Sequence, residues 1–141
     1  MIYDLVALHE ITDDIKAKVA LADSLDPDKG HAQYDESRFI AASRAGNCLV
    51  VTAREDGRLI GHAMFLINGP LAINYSVFVD PERRGEISNT LLDKCEMLLS
   101  PRGIKEIQFI LTDDLIGRWV SSRGYKRVWQ MWSKKSCVGV Q

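Results

Sequence analysis

A strand pattern, a helix pattern and a second strand pattern follow one another directly in the middle of the chain, and few folds accommodate that order. Residues 71–79 are mostly apolar, which predicts a central strand. Pro81 ends that strand, and apolar residues at helical spacing predict a helix from about Glu86 to Leu99. Residues 104–111 predict another strand. A strand, a helix and a strand in succession imply parallel pairing or a long crossover, so the second half has an α/β arrangement.

The first half predicts a strand, two helices and two strands. Residues 2–8 read as the first strand, and Thr12 as the N-cap of a helix. A second short helix is predicted over residues 35–44. Residues 48–54 and 58–68 then form a hairpin, because the Asp-Gly pair between them supplies the positive φ angles of a primed turn.

The last part of the chain predicts one more helix and one more strand. Asp113 or Asp114 can cap a short helix that carries Trp119 and Val120, and residues 125–134 alternate as a final strand. Capping alone explains both aspartates. Trp129 and Trp132 differ by three positions and face opposite sides of that strand, so one belongs to the core and the other to a dimer edge or an acceptor groove, which leaves a homodimer open.

Composition places the chain among ordinary globular domains. Of its 141 residues, 46% are hydrophobic and 26% charged, and we predict a single domain over residues 1–141. The net charge of -1 argues against a globally basic nucleic-acid-binding protein. No apolar run approaches the roughly 20 residues that span a bilayer, and no signal peptide opens the sequence, so we expect a cytoplasmic protein without membrane contact. The cysteines and histidines are scattered, which predicts reduced thiols and no metal site.

The junction between strand 71–79 and the helix after it has the composition of an anion site. Arg83, Arg84 and Gly85 stand directly before the predicted helix. The first turn of a helix has unpaired N–H groups at the positive end of its dipole, and two arginines beside it suit phosphate. Gly85 would let the backbone approach the anion closely. An ordinary surface turn has the same composition, so this pattern alone leaves both interpretations open.

This stretch resembles the signature of the GNAT superfamily, the acyl-CoA-dependent N-acyltransferases. That family carries a strand ending in V-x-P, then R-x-x-G-x-G/A, then a helix with paired leucines; here Val-Asp-Pro-Glu-Arg-Arg-Gly occupies 79–85, and Leu91-Leu92 follows. Segments 55–61 and 119–128 are similar to the family's second hairpin and to its closing helix and last strand. The resemblance covers nearly the whole chain. It implies a mixed α/β fold with a central mixed sheet of about six strands flanked by about four helices.

The resemblance also implies a ligand and a site. The co-substrate is acetyl-CoA, whose pantetheine arm and acyl carbonyl lie on backbone amides of the strand, and the acceptor is a primary amine of a small molecule or a protein. The cofactor-binding residues it implies are Val77, Phe78, Val79, Arg83, Arg84, Gly85, Glu86, Ile87, Ser88 and Asn89.

The chain departs from the family pattern in two places. The phosphate loop is one residue shorter and lacks the second and third glycines, while Glu86 brings a negative charge to it. The side chains of Ser88 and Asn89 can still donate hydrogen bonds there. In many members a tyrosine protonates the leaving thiolate, and some carry a glutamate base; Val120 and Ile73 occupy these places here.

Tyr75 is the predicted catalytic residue. Under the two-residue period of a strand it shares the inward parity of Val77, and no residue with better chemistry occupies the usual places. A core tyrosine is the alternative for Tyr75, and a satisfied strand histidine is the alternative for His62, the second titratable candidate. Two functions stay open. One is an active N-acyltransferase; the other is a catalytically inactive GNAT-like binding or structural module, of viral or accessory type.

Overall fold

The computed structural model describes residues 1–25 and 35–109, together with Ser122 and Gly124. The chain divides into two compact units, Met1–Phe109 and Ile110–Gln141, and every strand and helix described below lies in the first. The predicted final strand falls outside the described residues, as do Asp113, Asp114, Trp119 and Val120. The single domain over residues 1–141 stays a prediction.

The first unit is built on a five-stranded mixed sheet whose spatial order follows the chain. Its strands are β1 (Ile2–Ala7), β2 (Cys48–Glu55), β3 (Arg58–Asn68), β4 (Leu71–Val79) and β5 (Glu106–Phe109). The first four strands pair antiparallel, and β5 pairs parallel to β4. The prediction of parallel pairing across the strand, helix and strand of the second half is therefore confirmed.

Three α-helices and three short 3₁₀ turns accompany the sheet in the part of the chain that is described. The helices are α1 (Thr12–Leu25), α2 (Glu36–Arg44) and α3 (Arg84–Leu99). α3 connects β4 to β5. The mixed α/β fold is confirmed, with five strands and three helices described where about six and four were predicted. None of the described helices is long and apolar enough to cross a membrane.

Apolar side chains cover both faces of the sheet. On one face Phe65 and Val51 pack with Leu91 of α3, and on the other Met64 and Val50 pack with Phe39 of α2. Burying a side chain of this size stabilises the fold by about 1.5–3 kcal/mol. The sheet is thus held from both sides, and this fixes where β4 and the start of α3 lie.

Three local expectations need correction. β1 ends at Ala7, and Leu8 opens a 3₁₀ turn instead of ending the strand. Thr12 is the first residue of α1, and its hydroxyl donates to the carbonyl of Leu8 at 3.3 Å instead of capping the helix. β5 begins at Glu106 rather than residue 104, because the amides of Lys105 and Glu106 turn to the carbonyl of Pro70.

The hairpin between β2 and β3 has the predicted turn. Asp56 and Gly57 have φ angles of 52° and 79°, the two positive values that a primed turn needs. The turn places Glu55 and Arg58 opposite each other at its base. This end of the hairpin lies beside the start of α3, because Glu55 accepts a hydrogen bond from Arg83.

β4 carries a bulge at Tyr75 that the strand pattern did not predict. Phe65 of β3 pairs with Asn74 and Met64 pairs with Ser76, so Tyr75 is the extra residue. The bulge shifts the alternation of side chains by one position. Tyr75 packs with the cluster on the α1 and α2 face, whereas Val77 packs with the cluster on the α3 face. The expected shared parity of Tyr75 and Val77 is therefore wrong.

Candidate functional site

Asp80 fixes the junction at which β4 ends and α3 approaches. It is 4% exposed, and its N–H donates to the carbonyl of Ile60 at 2.9 Å. Its carboxylate accepts from Nζ of Lys18 at 2.6 Å and lies 3.6 Å from Arg58. The two cations offset the cost of burying this charge. One side chain thus ties α1 and the β2–β3 hairpin to the end of β4.

The helix after this junction starts earlier than predicted. A 3₁₀ turn over Pro81–Arg83 leads into α3, which begins at Arg84 and not near Glu86. Gly85 therefore lies inside the first helical turn, with no positive φ, and is not a loop glycine. A Cβ added to Gly85 would meet no described atom within 4 Å. The surface at Gly85 is accordingly open to a ligand, and the first N–H groups of an α-helix have no carbonyl of that helix to donate to.

Arg83 is engaged by carboxylates from two elements. Its NH1 donates to Oε1 of Glu55 at 2.5 Å, and its NH2 donates to Oε1 of Glu86 at 3.1 Å. The hydrogen bond and the charge of Arg83 hold the pKa of the Glu55 carboxyl below its usual value. The same contacts raise the pKa of Arg83, so its charge is permanent. Arg83 therefore links the hairpin to the start of α3.

Arg84 is held against the end of β4. Its Nε donates to the carbonyl of Val79 at 2.9 Å, and its guanidinium lies 5.1 Å from the centre of the Phe78 ring. A guanidinium carries five N–H donors, and the two terminal nitrogens hold the four that Nε does not. The bond through Nε holds the guanidinium at the junction of β4 and α3 and leaves these four donors for other partners.

The residues that follow differ in what they can offer to an anion. Ile87 is 4% exposed and packs in the α3-face core, so its side chain is not available to an anion. The hydroxyl of Ser88 donates to the carbonyl of Arg84 at 2.5 Å and is occupied within the helix. Asn89 is exposed. Glu86 points its carboxylate at Arg83, which reduces the repulsion that its charge would exert on an anion.

The last part of β4 lies close to β3. Gly61 pairs with Val79, and a Cβ at Gly61 would lie 3.2 Å from Val79 Cγ2 and 3.3 Å from the carbonyl oxygen of Phe78. Phe78 and Val79 are buried and Val77 is half-buried. The side chains of these three residues serve packing, so any ligand contact they make must come from their backbone.

Tyr75 lies on the face of the sheet that α1 and α2 cover. Its ring packs edge to face on Phe39 of α2, with centroids 5.5 Å apart. The ring is half-buried, which leaves part of it within reach of solvent. Packing against Phe39 accounts for the aromatic ring of Tyr75. Packing alone does not require its hydroxyl.

His62 and Ser76 form a polar pair that the sequence pattern did not identify. Nε2 of His62 lies 3.0 Å from Oγ of Ser76, while Nδ1 is buried without a hydrogen-bond partner among the described residues. Burial, and secondarily the charge of Lys18, lowers the pKa of His62 to about 4, so the imidazole is neutral at pH 7. The alternative expected for His62, a strand histidine whose hydrogen bonds are satisfied, therefore holds for Nε2 and not for Nδ1. The register shows the pair, because His62 faces Phe78 and Ser76 is its diagonal neighbour.

The cysteines within the described residues are structural. Cys48 and Cys95 are both buried, as predicted, and carry free thiols. Burial raises the pKa of Cys48 to about 12 and also raises that of Cys95, so neither forms a thiolate at neutral pH. Cys137 lies outside the described residues.

Comparison with known proteins identifies one family. The profile of the acetyltransferase (GNAT) family matches residues 8–117, which is more than half of the chain. No curated protein matches the sequence.

Solved structures share the fold. A predicted acetyltransferase from Clostridium acetobutylicum, with acetyl-CoA, matches at a TM-score of 0.71 and 15% identity over 96% of this chain and 95% of its own. An aminoglycoside acetyltransferase from an uncultured soil metagenomic sample, in complex with sisomicin, matches at a TM-score of 0.65 and 15% identity, over 99% of this chain and 93% of its own. Ribosomal-protein-alanine N-acetyltransferase from Brucella melitensis biovar Abortus 2308 matches at a TM-score of 0.61 and 16% identity, over 100% of this chain and 99% of its own. At these identities the likeness concerns the fold.

Proposed function

Because the chain belongs to the acetyltransferase (GNAT) family, we propose that it transfers an acetyl group from acetyl-CoA to a primary amine of a small molecule or a protein. The observation that carries this proposal is the junction of β4 and α3. There the first helical turn is open at Gly85, and the guanidinium of Arg84 is held at the carbonyl of Val79 through Nε alone. Such an arrangement favours a pyrophosphate through backbone N–H groups, the helix dipole and a charge-assisted hydrogen bond.

The pyrophosphate lies over residues 83–89 in this proposal, and the contributions of the individual residues differ. Backbone N–H groups of the turn and the guanidinium of Arg84 are the main ligands. Arg83 contributes its charge while its N–H groups stay on Glu55 and Glu86. Ile87 and Ser88 help to place this turn and do not bind the anion directly, since their side chains are already used. In a helix that begins at Arg84, their N–H groups donate to carbonyls of the preceding turn. Asn89, with an exposed side chain, lies next to the diphosphate.

The pantetheine arm runs back along β4 from Val79 towards Val77. Strand backbone suits an amide-containing chain of this kind, because main-chain groups give affinity without requiring particular side chains. The burial of Phe78 and Val79 supports that assignment, since it leaves their backbone as the usable part. The arm brings the thioester to the middle of β4, beside the bulge at Tyr75.

Tyr75 is the proposed catalytic residue. Its phenol is the titratable group of β4 nearest the proposed thioester, and it lies on the α1 and α2 face, so the acceptor amine would approach from that side. A positioned acid or base contributes about 10²- to 10⁴-fold to turnover. The neutral, buried His62 is a poor base for an ammonium group, because its pKa of about 4 disfavours the imidazolium. It therefore does not compete with Tyr75 for this role.

A second candidate function is a binding module without catalysis. Two observations favour it: Arg83 is held by two carboxylates, and the phosphate loop lacks the later glycines of the family pattern. Such a module would bind acyl-CoA weakly or not at all and would release no thiol. The cytoplasm is the proposed location for either function.

Turnover of acetyl-CoA distinguishes the acetyltransferase from the binding module. Thiol release is followed with acetyl-CoA and a panel of amines: a polyamine, a peptide with a free N-terminus and an aminoglycoside. Release above the rate without amine supports the acetyltransferase. Binding of acetyl-CoA without release from any of these amines favours the module.

A further inference from the structure

A buried histidine with one unpaired ring nitrogen lies against the strand that carries the proposed thioester. His62 is 0% exposed, and its Nε2 lies 3.0 Å from Oγ of Ser76 in β4. Its Nδ1 has no hydrogen-bond partner in residues 1–25 and 35–109. Leaving a buried polar atom unpaired costs about 1–3 kcal/mol. Packing alone would be served better by an apolar residue, so the pair calls for a functional explanation.

The unpaired nitrogen indicates which tautomer is present. A neutral imidazole carries one N–H, and the other nitrogen accepts. If Nδ1 held the hydrogen, a buried donor would be orphaned, which is rarer in proteins than an acceptor left without a partner. The hydrogen therefore belongs on Nε2, from which His62 donates to Oγ of Ser76. Burial, and secondarily the charge of Lys18, keeps the ring neutral and preserves this direction.

This direction leaves the hydroxyl hydrogen of Ser76 available. Oγ accepts from His62, so its own O–H must donate elsewhere. His62 is the one side-chain partner that Oγ has among the described residues. Ser76 is half-buried, so its hydroxyl can meet a ligand. The Ser76 hydroxyl is therefore a hydrogen-bond donor that His62 holds in place. Its acceptor is not among the described residues.

The proposed path of acyl-CoA leads to this hydroxyl. With the pyrophosphate at the start of α3, the pantetheine arm runs along β4 from Val79 towards its middle. Ser76 comes three residues before Val79, about 10 Å along a strand. The thioester sulfur at the end of the arm therefore reaches the neighbourhood of Ser76, next to the bulge.

We propose that Ser76 donates a hydrogen bond from Oγ to the sulfur of the leaving CoA thiolate, and that His62 is the residue that positions this donor. The amine nitrogen forms its bond to the carbonyl carbon, the carbon–sulfur bond breaks, and the sulfur keeps the electron pair. Ser76 retains its own proton, and the amine's proton leaves by way of Tyr75 and water. The inference rests on the proposed function. It supplies a donor in a chain in which Val120 occupies the place of the family's thiolate acid.

Binding of CoA and of desulfo-CoA, in which hydrogen replaces the thiol, tests the proposal without a known acceptor. Calorimetry at a pH above about 8.5, the ordinary pKa of a cysteine thiol, favours the thiolate of CoA. A hydrogen bond to a charged group is large enough to change an affinity about tenfold. We expect the preference for CoA over desulfo-CoA to fall about tenfold in Ser76→Ala and to persist in Ser76→Thr, which keeps a hydroxyl.

Two further variants separate positioning from structure. His62→Gln offers a neutral N–H close to the place of Nε2 and should keep the preference, whereas His62→Leu should lose it. Thr52→Val is the matched control, because Thr52 faces His62 from β2 and is 1% exposed, yet lies outside the proposed site. It should leave the preference unchanged.

The outcomes are distinguishable. An equal preference for CoA in wild type and Ser76→Ala would overturn the role of Ser76 and leave the proposed function standing. Loss of the preference in His62→Gln as well as in His62→Leu would overturn the positioning role of His62. Failure of the wild type to bind either compound would overturn the proposed function and this proposal with it.

Discussion

Arg83 and Glu55 join the 3₁₀ turn before α3 to the hairpin of β2 and β3 through two hydrogen bonds, at 2.5 and 3.4 Å. One of the two arginines expected to bind phosphate is thus occupied by carboxylates. Its neighbour Arg84 bonds to a carbonyl of β4 through Nε only. The two arginines consequently have different roles, and this difference can be measured.

Arg84→Ala should weaken CoA binding more than Arg83→Ala. A charge-assisted hydrogen bond contributes about 1.5–3 kcal/mol, so Arg84→Ala should cost about tenfold or more in affinity. Arg83→Ala should change affinity about threefold or less and should mainly lower the melting temperature, because it releases the hairpin from α3. Calorimetry with CoA and thermal unfolding of both variants give the comparison. A larger loss of affinity in Arg83→Ala would reverse the assignment.

Glu86→Gln should bind CoA more tightly than wild type. The substitution removes one negative charge from the first turn of α3, where the pyrophosphate is proposed to lie. Since Glu86 is exposed and paired with Arg83, the gain should be small, about two- to fivefold at low salt, and should shrink at about 0.15 M salt. Weaker binding in this variant would show that the carboxylate supports the site through its contact with Arg83.

Gly85→Ala should separate folding from binding. Gly85 is helical and an added Cβ meets no described atom, so alanine should leave stability unchanged or raise it by up to about 1 kcal/mol. The same methyl would obstruct the approach of a phosphate and should weaken CoA binding. Gly57→Ala is the control, because Gly57 has a φ of 79° and alanine there should cost about 1–2 kcal/mol. Unchanged CoA affinity in Gly85→Ala would place the pyrophosphate elsewhere.

Acidification should destabilise the wild type through His62. Burial first, and Lys18 second, lowers its pKa from 6.5 to about 4, so between these values the unfolded chain binds more protons than the folded one. The free energy of unfolding should therefore be full above pH 6.5 and fall as the pH drops towards 4, by about 3 kcal/mol from this group. Urea unfolding of wild type and His62→Gln at several pH values checks it. Parallel curves would show that His62 takes up its proton equally in the folded and unfolded states, which would contradict the lowered pKa.

Tyr75→Phe should lower turnover about a hundredfold or more while CoA affinity stays unchanged. The substitution keeps the contact with Phe39 and removes only the hydroxyl. Tyr3→Phe is a matched control, since Tyr3 packs on the opposite face of the sheet. Turnover in Tyr75→Phe within about threefold of wild type would make Tyr75 a core residue.

Much of the fold could be predicted because it depends on local chemistry. The Asp56–Gly57 turn, the strand β4 and the parallel pairing across α3 each follow from turn residues or apolar patterns. The sequence pattern places the start of α3 two residues too late, because Gly85 suggests a loop. In the structure a 3₁₀ turn over Pro81–Arg83 already leads into the helix.

The parts of the site that escaped prediction depend on register. A period of two assigns Tyr75 and Val77 to one face, and only the pairing with β3 shows the extra residue that separates them. The contact of His62 with Ser76 and the engagement of Arg83 by Glu55 likewise join distant parts of the chain. Neither has a signal within a short stretch of sequence.

Thermal unfolding with and without acetyl-CoA tests the central claim most directly. A ligand that binds only the folded protein adds about 2.7 kcal/mol at roughly a hundredfold excess over its dissociation constant, which raises the Tm by several degrees. We predict such a rise at millimolar acetyl-CoA, reduced in Arg84→Ala. An unchanged Tm of the wild type at millimolar acetyl-CoA would contradict both the acyl-CoA site at the start of α3 and the acetyltransferase activity.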